Sequence, residues 1–152
     1  VLVGAIPVAI PPLMGYTRAS GTIDTFAMAL FAILFIWQIP HFFAISIMYD
    51  KDYSAADILV FPNTRGIDFT NRLILKFSFV LLYVALIPWF LKLASEEYRN
   101  AAIVLSGILI YFAIKGRTVS KKDFLIRNWA KTYFLGTIFY IPFLFAALVF
   151  FK

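Results

Sequence analysis

A short acidic segment follows directly on an apolar stretch of membrane length. Asp50, Asp52 and Asp57 lie in this segment, with Lys51 between the first two and Arg65 a little further along the chain. Magnesium takes one or two carboxylates together with phosphate oxygens, and lysine and arginine neutralise the remaining charge of a polyphosphate. These residue types therefore predict a site for a magnesium-bound diphosphate whose tail enters an adjoining apolar cavity.

Helical geometry limits how the carboxylates of this segment can act together. A helix through it would place Asp50, Tyr53 and Asp57 on one stripe, whereas Asp52 would point about 200° away from Asp50. Asp50 and Asp57 would also stand about 10 Å apart along the axis, too far to chelate one ion, although they could flank a diphosphate that carries several ions. The alternative interpretation is a solvated loop in which aspartate and lysine only cap helix ends.

Two polar side chains, Gln38 and His41, interrupt the apolar stretch itself. They are three residues apart, so a helix puts them on one face, and polar groups at membrane depth are costly unless they face protein or a water-filled cavity. The pattern predicts that they line a cavity, where His41 acts as a hydrogen-bond partner, a base or an axial ligand to haem iron. The alternative is a packing histidine that hydrogen-bonds a carbonyl freed by Pro40.

The composition is that of a membrane protein. Apolar residues make up 62% of the 152 residues and charged residues only 14%, against about 25% in ordinary globular domains. A net charge of +6 beside apolar segments indicates orientation in a membrane rather than nucleic-acid binding. The chain has no cysteine, which excludes thiolate metal sites and cysteine nucleophiles within it.

Apolar segments of membrane length predict an all-α polytopic protein with about five transmembrane helices in a single membrane-embedded domain over residues 1–152. Lipid does not tolerate unpaired backbone groups, and no alternating ten-residue pattern indicates a barrel. The first segment begins at residue 1 without a methionine, so we expect a truncated helix in a C-terminal piece of a longer protein. Pro88 predicts a kink in the third segment. The five segments cover residues 1–16, 26–48, 74–93, 98–114 and 132–151.

Basic residues are distributed unequally between the connections. Most of the 14 lysines and arginines lie in or beside the second and fourth connections, whereas the third contains Glu96 and Glu97. Cytoplasmic connections of membrane proteins carry the excess of lysine and arginine. Residues 50–70 and 115–130 are therefore predicted to be cytoplasmic, and residues 94–99 to lie on the opposite side.

Several runs of residues are similar to those of one known family. GAIP at 4–7, PPLMGY at 11–16, LFIWQIPHF at 34–42 and DYSAA at 52–56 resemble the protohaem IX farnesyltransferases, a family of UbiA-type intramembrane prenyltransferases. The last helix adds a further likeness at Trp129, Ala130, Lys131, Phe134 and Tyr140. The chain departs from the family pattern at Asp57, where a glycine is usual, and at Leu59 and Val60, where proline and methionine usually stand.

The resemblance implies a UbiA-type helical bundle and transfer of a farnesyl group from farnesyl diphosphate to a vinyl group of haem B, giving haem O. Two aspartate-rich cytoplasmic loops hold Mg²⁺ and the diphosphate in that family, and the segment after His41 corresponds to the second loop. The implied metal ligands are Asp50, Asp52 and Asp57; the implied catalytic residues are Lys51, Asp52 and Tyr53; the implied substrate contacts are Gln38, His41 and Arg65.

The resemblance also implies partners and a location. Helices that precede residue 1 would complete the site, so residues 1–152 alone are expected to insert in a bilayer without transferring farnesyl. A bacterial plasma membrane is the expected location, with the mitochondrial inner membrane as the alternative. Two other functions stay open: a related prenyltransferase acting on an aromatic ring, and a non-catalytic membrane subunit or half of a transporter with Gln38 and His41 along its permeation path.

Overall fold

The computed structural model describes residues 10–11, 14–18, 21–119 and 123–151, and within them the chain is all-α with no strand. Seven helices follow one another after residue 24. Most of the first apolar segment lies outside the described residues. The helices are α1 (Thr25–Met48), α2 (Asp50–Ala55), α3 (Phe61–Arg65), α4 (Ile67–Ala85), α5 (Ile87–Phe90), α6 (Glu96–Thr118) and α7 (Asp123–Phe150).

Four spans in the described part of the chain are long and apolar enough to cross a membrane: 25–48, 67–90, 96–118 and 124–150. They correspond to the second to fifth predicted segments. The third predicted segment begins seven residues too late, because Asp68 and Arg72 in the first turns of α4 reduce the apolar signal there. The fourth and fifth predicted segments are too short for the same reason, because the charged turns at the ends of these helices are helical as well.

The ends of α1 and α6 follow ordinary capping rules. Asp24 precedes α1, and its Oδ1 accepts a hydrogen bond of 2.8 Å from the backbone N–H of Ala27. That bond, with a second from the Tyr16 hydroxyl, holds the pKa of Asp24 below its ordinary value. Ser95 caps α6 in the same way through the N–H of Tyr98.

The third span is interrupted at Leu86, between α4 and α5, two residues before the predicted kink at Pro88. Proline cannot donate a backbone hydrogen bond, so the helix is weakened in the turn before Pro88. The Tyr98 hydroxyl of α6 donates a bond of 2.7 Å to the carbonyl of Ala85 at this break. The break is therefore stabilised from a neighbouring helix, and the two pieces still form one span.

The four spans form a closed ring in which α1 packs on α4, α4 on α6, α6 on α7 and α7 on α1. Two buried serine–tyrosine pairs join the ring internally. The Ser78 hydroxyl donates to the carbonyl of Ile74, so the Tyr133 hydroxyl, 2.7 Å from it, must be the donor between them. Ser106 and Tyr140 form the second pair at 3.0 Å. Each pair joins α7 to a different helix without burying an unbonded hydroxyl.

Candidate functional site

The acidic segment forms a short helix of its own at the end of α1. Helix α1 ends at Met48, and α2 begins at Asp50 after a single linking residue. Lys51 and Asp52 are exposed, Asp50 and Tyr53 are half-buried, and no side chain of α2 is fully buried. The segment is therefore accessible to a ligand and is helical through Ala55.

The helix stops before Asp57, which changes the predicted stripe of carboxylates. Asp57 is exposed and has a φ of 54°, a left-handed conformation that residues other than glycine rarely adopt. Its backbone N–H bonds the carbonyl of Ser54, and the N–H of Ile58 bonds that of Tyr53. Asp57 therefore occupies a turn after the helix, at a position where a glycine would be unstrained.

Asp50 has a partner that the sequence did not indicate. Arg127 of α7 donates a hydrogen bond of 2.8 Å to its Oδ1, with both side chains partly exposed. The pair joins α2 to the far end of the chain and fixes the position of one carboxylate. The charge count placed these two connections on the same side of the membrane, and that common location was the only sequence signal for the contact.

The remaining basic candidate, Arg65, lies in the last turn of α3 and is exposed. Gly66 follows with a φ of 86°, which lets the chain turn sharply into α4. Between this loop and α1 lies a cavity of about 230 Å³ lined by Phe43, Ser46, Leu59, Val60, Phe61 and Thr64. A largely apolar cavity therefore lies beside the residues that follow the acidic segment.

The carboxylates of the segment fit magnesium only in combination with a phosphate ligand. Among the described residues, no group of three or more His, Asp or Glu side chains is arranged to hold a metal ion. Magnesium usually keeps several waters and binds through one or two carboxylates plus substrate phosphates, so a full protein cage is not required. Asp52, exposed on α2, meets that smaller requirement.

Gln38 and His41 have different surroundings although they are three residues apart. Gln38 is only 1% exposed, inside the ring of helices. His41 is half-buried where α1 meets α7, and its ring lies between those of Trp37 and Phe134, with centroid distances of 4.7 and 4.8 Å. Both rings are nearly parallel to the imidazole, so only the edges of His41 can meet another group.

Thr137 determines which nitrogen of His41 carries the proton. Its hydroxyl donates a bond of 2.6 Å to the carbonyl of Phe134, and the same oxygen lies 2.7 Å from His41 Nδ1. A hydroxyl has one hydrogen, so Nδ1 must donate to the oxygen and Nε2 keeps its lone pair. The neutral ring therefore presents an acceptor at Nε2, which can bind a metal-bearing ligand or accept a proton.

Trp37 completes this group of residues. Its indole Nε1 donates a bond of 2.8 Å to the carbonyl of Thr137. Sequence reasoning missed Trp37 and Thr137 as neighbours of His41. Only the spacing of four residues between Trp37 and His41 indicated a shared helical face. The contacts to α7 connect residues about a hundred positions apart, which no local pattern reveals.

Comparison with known proteins gives one family and a consistent set of relatives. A profile described as the UbiA prenyltransferase family matches residues 1–138. The chain is 42% identical over 147 residues to a protein named protoheme IX farnesyltransferase from Anaeromyxobacter sp. strain Fw109-5, covering 97% of this chain and 48% of the relative. Proteins of that name from Anaeromyxobacter dehalogenans and Sorangium cellulosum are 40% and 37% identical, covering 96% and 97% of this chain and 48% and 51% of the relatives.

The chain thus spans about half the length of the curated relatives it matches. No solved structure matches it.

Proposed function

The chain belongs to the UbiA prenyltransferase family, and on that basis we propose that the protein containing it transfers a farnesyl group from farnesyl diphosphate to a vinyl group of haem B, forming haem O. The observation that carries the proposal is the match over nearly the whole chain to relatives named protoheme IX farnesyltransferase. The arrangement of the site supports it, because an accessible acidic helix adjoins an apolar cavity and a histidine lies within the same bundle.

The chemistry requires a leaving group, a cation and a nucleophile. The bond between the farnesyl carbon and the diphosphate oxygen breaks, and the allylic cation is attacked by the vinyl group with formation of a carbon–carbon bond. Water then adds to the remaining vinyl carbon and loses a proton, which gives the hydroxyl of haem O. Mg²⁺, when bound with the diphosphate, would stabilise the negative charge of the leaving group.

The chain's own residues have separate parts in this scheme. Asp52, with Asp50 and Asp57 near it in sequence, would hold the metal-bound diphosphate at the membrane surface. Lys51 and Arg65 would neutralise the departing charge, and Tyr53 would position the substrate beside them. Gln38 and His41 would contact haem or the developing cation within the bundle.

Haem B and farnesyl diphosphate are the substrates that this proposal assigns, and a bacterial plasma membrane is the proposed location, since the relatives compared are bacterial. The chain itself is part of an integral membrane protein, as its family and the four apolar spans among the described residues indicate. The expectation that residues 1–152 alone are inactive stays a prediction.

Substitution of Asp52 tests the proposal directly. In the full-length protein we expect Asp52→Asn to lower haem O formation by about a hundredfold, because one charge that holds the metal-bound leaving group is lost. Glu97→Gln removes an exposed carboxylate from the opposite end of the bundle and should leave turnover unchanged. Haem O is measured by liquid chromatography with mass spectrometry over a magnesium titration.

Two results of this experiment would count against the assignment. Unchanged turnover and magnesium dependence in Asp52→Asn would remove Asp52 from the metal site. Absence of haem O from the unsubstituted full-length protein, supplied with both substrates, would contradict the proposed reaction itself.

A further inference from the structure

The ion pair between Asp50 and Arg127 gives the acidic helix α2 two distinct sides. Asp50 lies in the first turn of α2 and accepts the 2.8 Å hydrogen bond from Arg127 of α7. Successive helical residues are about 100° apart, so Asp52 lies about 200° around the helix from Asp50. Exposure agrees with this geometry, because Asp50 and Tyr53 are half-buried whereas Lys51 and Asp52 are exposed. The side of α2 that carries Asp50 therefore faces the bundle, and the side that carries Asp52 faces away from it.

Helix α2 is too short to be stable by itself. It has six residues, and isolated helices of fewer than about 12 residues are marginal in water. None of its side chains is fully buried, and the side chain of Tyr49, which precedes it, makes no capping hydrogen bond. Contacts outside the helix must therefore contribute to its order. The pair with Arg127 is such a contact, and it places a negative charge in the first turn, where the helix dipole favours one.

The arginine of this pair projects from a firmly packed part of α7. Ile126 and Trp129, on either side of Arg127 in the sequence, are 2% and 7% exposed, and Ala130 is completely buried. The indole of Trp129 is also held by its hydrogen bond of 2.7 Å to the carbonyl of Phe112 in α6. Arg127 can therefore serve as a fixed point against which the mobile end of the acidic segment is oriented.

Asp50 and Asp52 cannot serve one metal ion in this arrangement. Magnesium needs its oxygen ligands at about 2.0–2.1 Å, whereas these two side chains leave opposite sides of a helix. The carboxylate of Asp50 is moreover already bound to a guanidinium group. The two carboxylates therefore have different tasks.

We propose that Asp50 and Arg127 are positioning residues, whose ion pair holds α2 against α7 so that Asp52 faces the metal-bound diphosphate. The proposal rests on the proposed function for the task of Asp52, and it removes Asp50 from the metal site that the resemblance implied. Loss of either partner should lower the fraction of molecules in which α2 is oriented. Apparent affinity for the diphosphate falls with that fraction, while a saturating substrate concentration restores turnover.

Amide hydrogen exchange of the purified full-length protein without substrate tests the ordering of α2. We expect the amides of residues 50–56 to exchange about fivefold faster in Arg127→Gln, the upper end of what a partly exposed ion pair contributes. The charge swap Asp50→Arg/Arg127→Asp should restore slow exchange. The control Arg117→Gln removes an exposed arginine from the last turn of α6 and should leave α2 unchanged.

Steady-state haem O formation tests the consequence for the site. Asp50→Asn and Arg127→Gln should each raise the KM for farnesyl diphosphate by about fivefold with kcat little changed, since a partly exposed pair is worth about that factor. The two substitutions together should be no worse than either alone, because both remove the same interaction. The charge swap should return KM to the value of the unsubstituted protein, which a metal ligand at position 50 could not do.

Three results would overturn the proposal. The first is unchanged exchange of α2 in Arg127→Gln, and the second is a KM that rises in Asp50→Asn but not in Arg127→Gln, or in neither. The third is a charge swap that stays as impaired as the single variants, which would return Asp50 to the metal site. If the unsubstituted protein forms no haem O, the proposed function fails, while the exchange measurement still decides whether the pair orders α2.

Discussion

A single hydroxyl hydrogen decides the chemistry available at His41. Thr137 uses that hydrogen for the carbonyl of Phe134, so His41 donates from Nδ1 and offers Nε2 as an acceptor. The stacked rings of Trp37 and Phe134 keep the imidazole in this orientation. Thr137 is thus a positioning residue, which acts on a ligand only through the histidine.

Replacing Thr137 should change the tautomer of His41. In Thr137→Val the acceptor for Nδ1 is lost, so we expect the proton to redistribute towards Nε2, while Thr137→Ser keeps the hydroxyl and the original tautomer. Nitrogen NMR of histidine-labelled full-length protein measures this, with the His41 signals identified by their absence in His41→Ala. An Nε2-protonated ring in the unsubstituted protein, or an unchanged ring in Thr137→Val, would contradict the assignment.

For single residues, the sequence predicted which side chains are candidates better than it predicted which residues they contact. Residue type and spacing identified Asp52, Gln38 and His41 as candidates, and the structure places an acidic helix and a half-buried histidine there. Arg127 and Thr137 were not found, because each meets its partner across a long stretch of chain. Asp57 could not be placed, because its left-handed turn depends on where α2 ends.

The contact between α6 and α7 depends on one glycine. A Cβ on Gly116 would lie 2.1 Å from a ring carbon of Trp129, so only glycine fits against the indole. The indole is also held by its own hydrogen bond of 2.7 Å to the carbonyl of Phe112 and cannot withdraw freely. The same glycine carbonyl accepts the bond from Asn71, so α4, α6 and α7 are joined at this level.

Gly116→Ala should therefore destabilise the bundle by about 1–3 kcal/mol, since an overpacked core must shift its side chains. Gly107→Ala is the matched control in the same helix, because nothing lies within 4 Å of its Cβ position. There, alanine should leave stability unchanged or raise it by up to about 1 kcal/mol through helix propensity. Thermal unfolding in one detergent measures both, and an equal effect of the two substitutions would refute the packing explanation.

For the elements, hydropathy predicted the existence of the four described spans and placed the first to within one residue, but it misplaced the ends of the other three. Apolar periodicity stops where charged residues begin, yet α4 and α7 continue through Asp68, Arg72 and Arg127 into the interface. The break at Leu86 was predicted from Pro88 to within two residues, because proline acts through local backbone chemistry. The order of the helices around the ring was not predictable, since it depends on contacts such as that between Tyr98 and Ala85.

The two connections with the most lysine and arginine lie at the same end of the ring of helices. The contacts of Asp50 with Arg127 and of Asn71 with Gly116 both lie at this end. By the positive-inside rule, we expect this end to face the cytoplasm.

Cysteine labelling can test that orientation, since residues 1–152 contain no cysteine. In a full-length background without other cysteines, we expect an impermeant thiol reagent to label Leu91→Cys in intact cells and Ser54→Cys only after lysis. Leu91 is preferable to Ser95, whose side chain caps α6. The opposite labelling pattern would show that the acidic helix lies outside the cytoplasm.

The joining of α1 to α7 has a consequence for biosynthesis. Trp37 and His41 find their hydrogen-bond partners in a helix about a hundred residues later, so both enter the membrane before those partners have been translated. Until α7 follows, two polar side chains are held in lipid without their native bonds, at a cost that favours protection by the insertion machinery. A ribosome stalled before Thr137 would therefore leave an unfinished bundle, with Trp37 and His41 lacking their native bonds, that quality-control proteases can recognise.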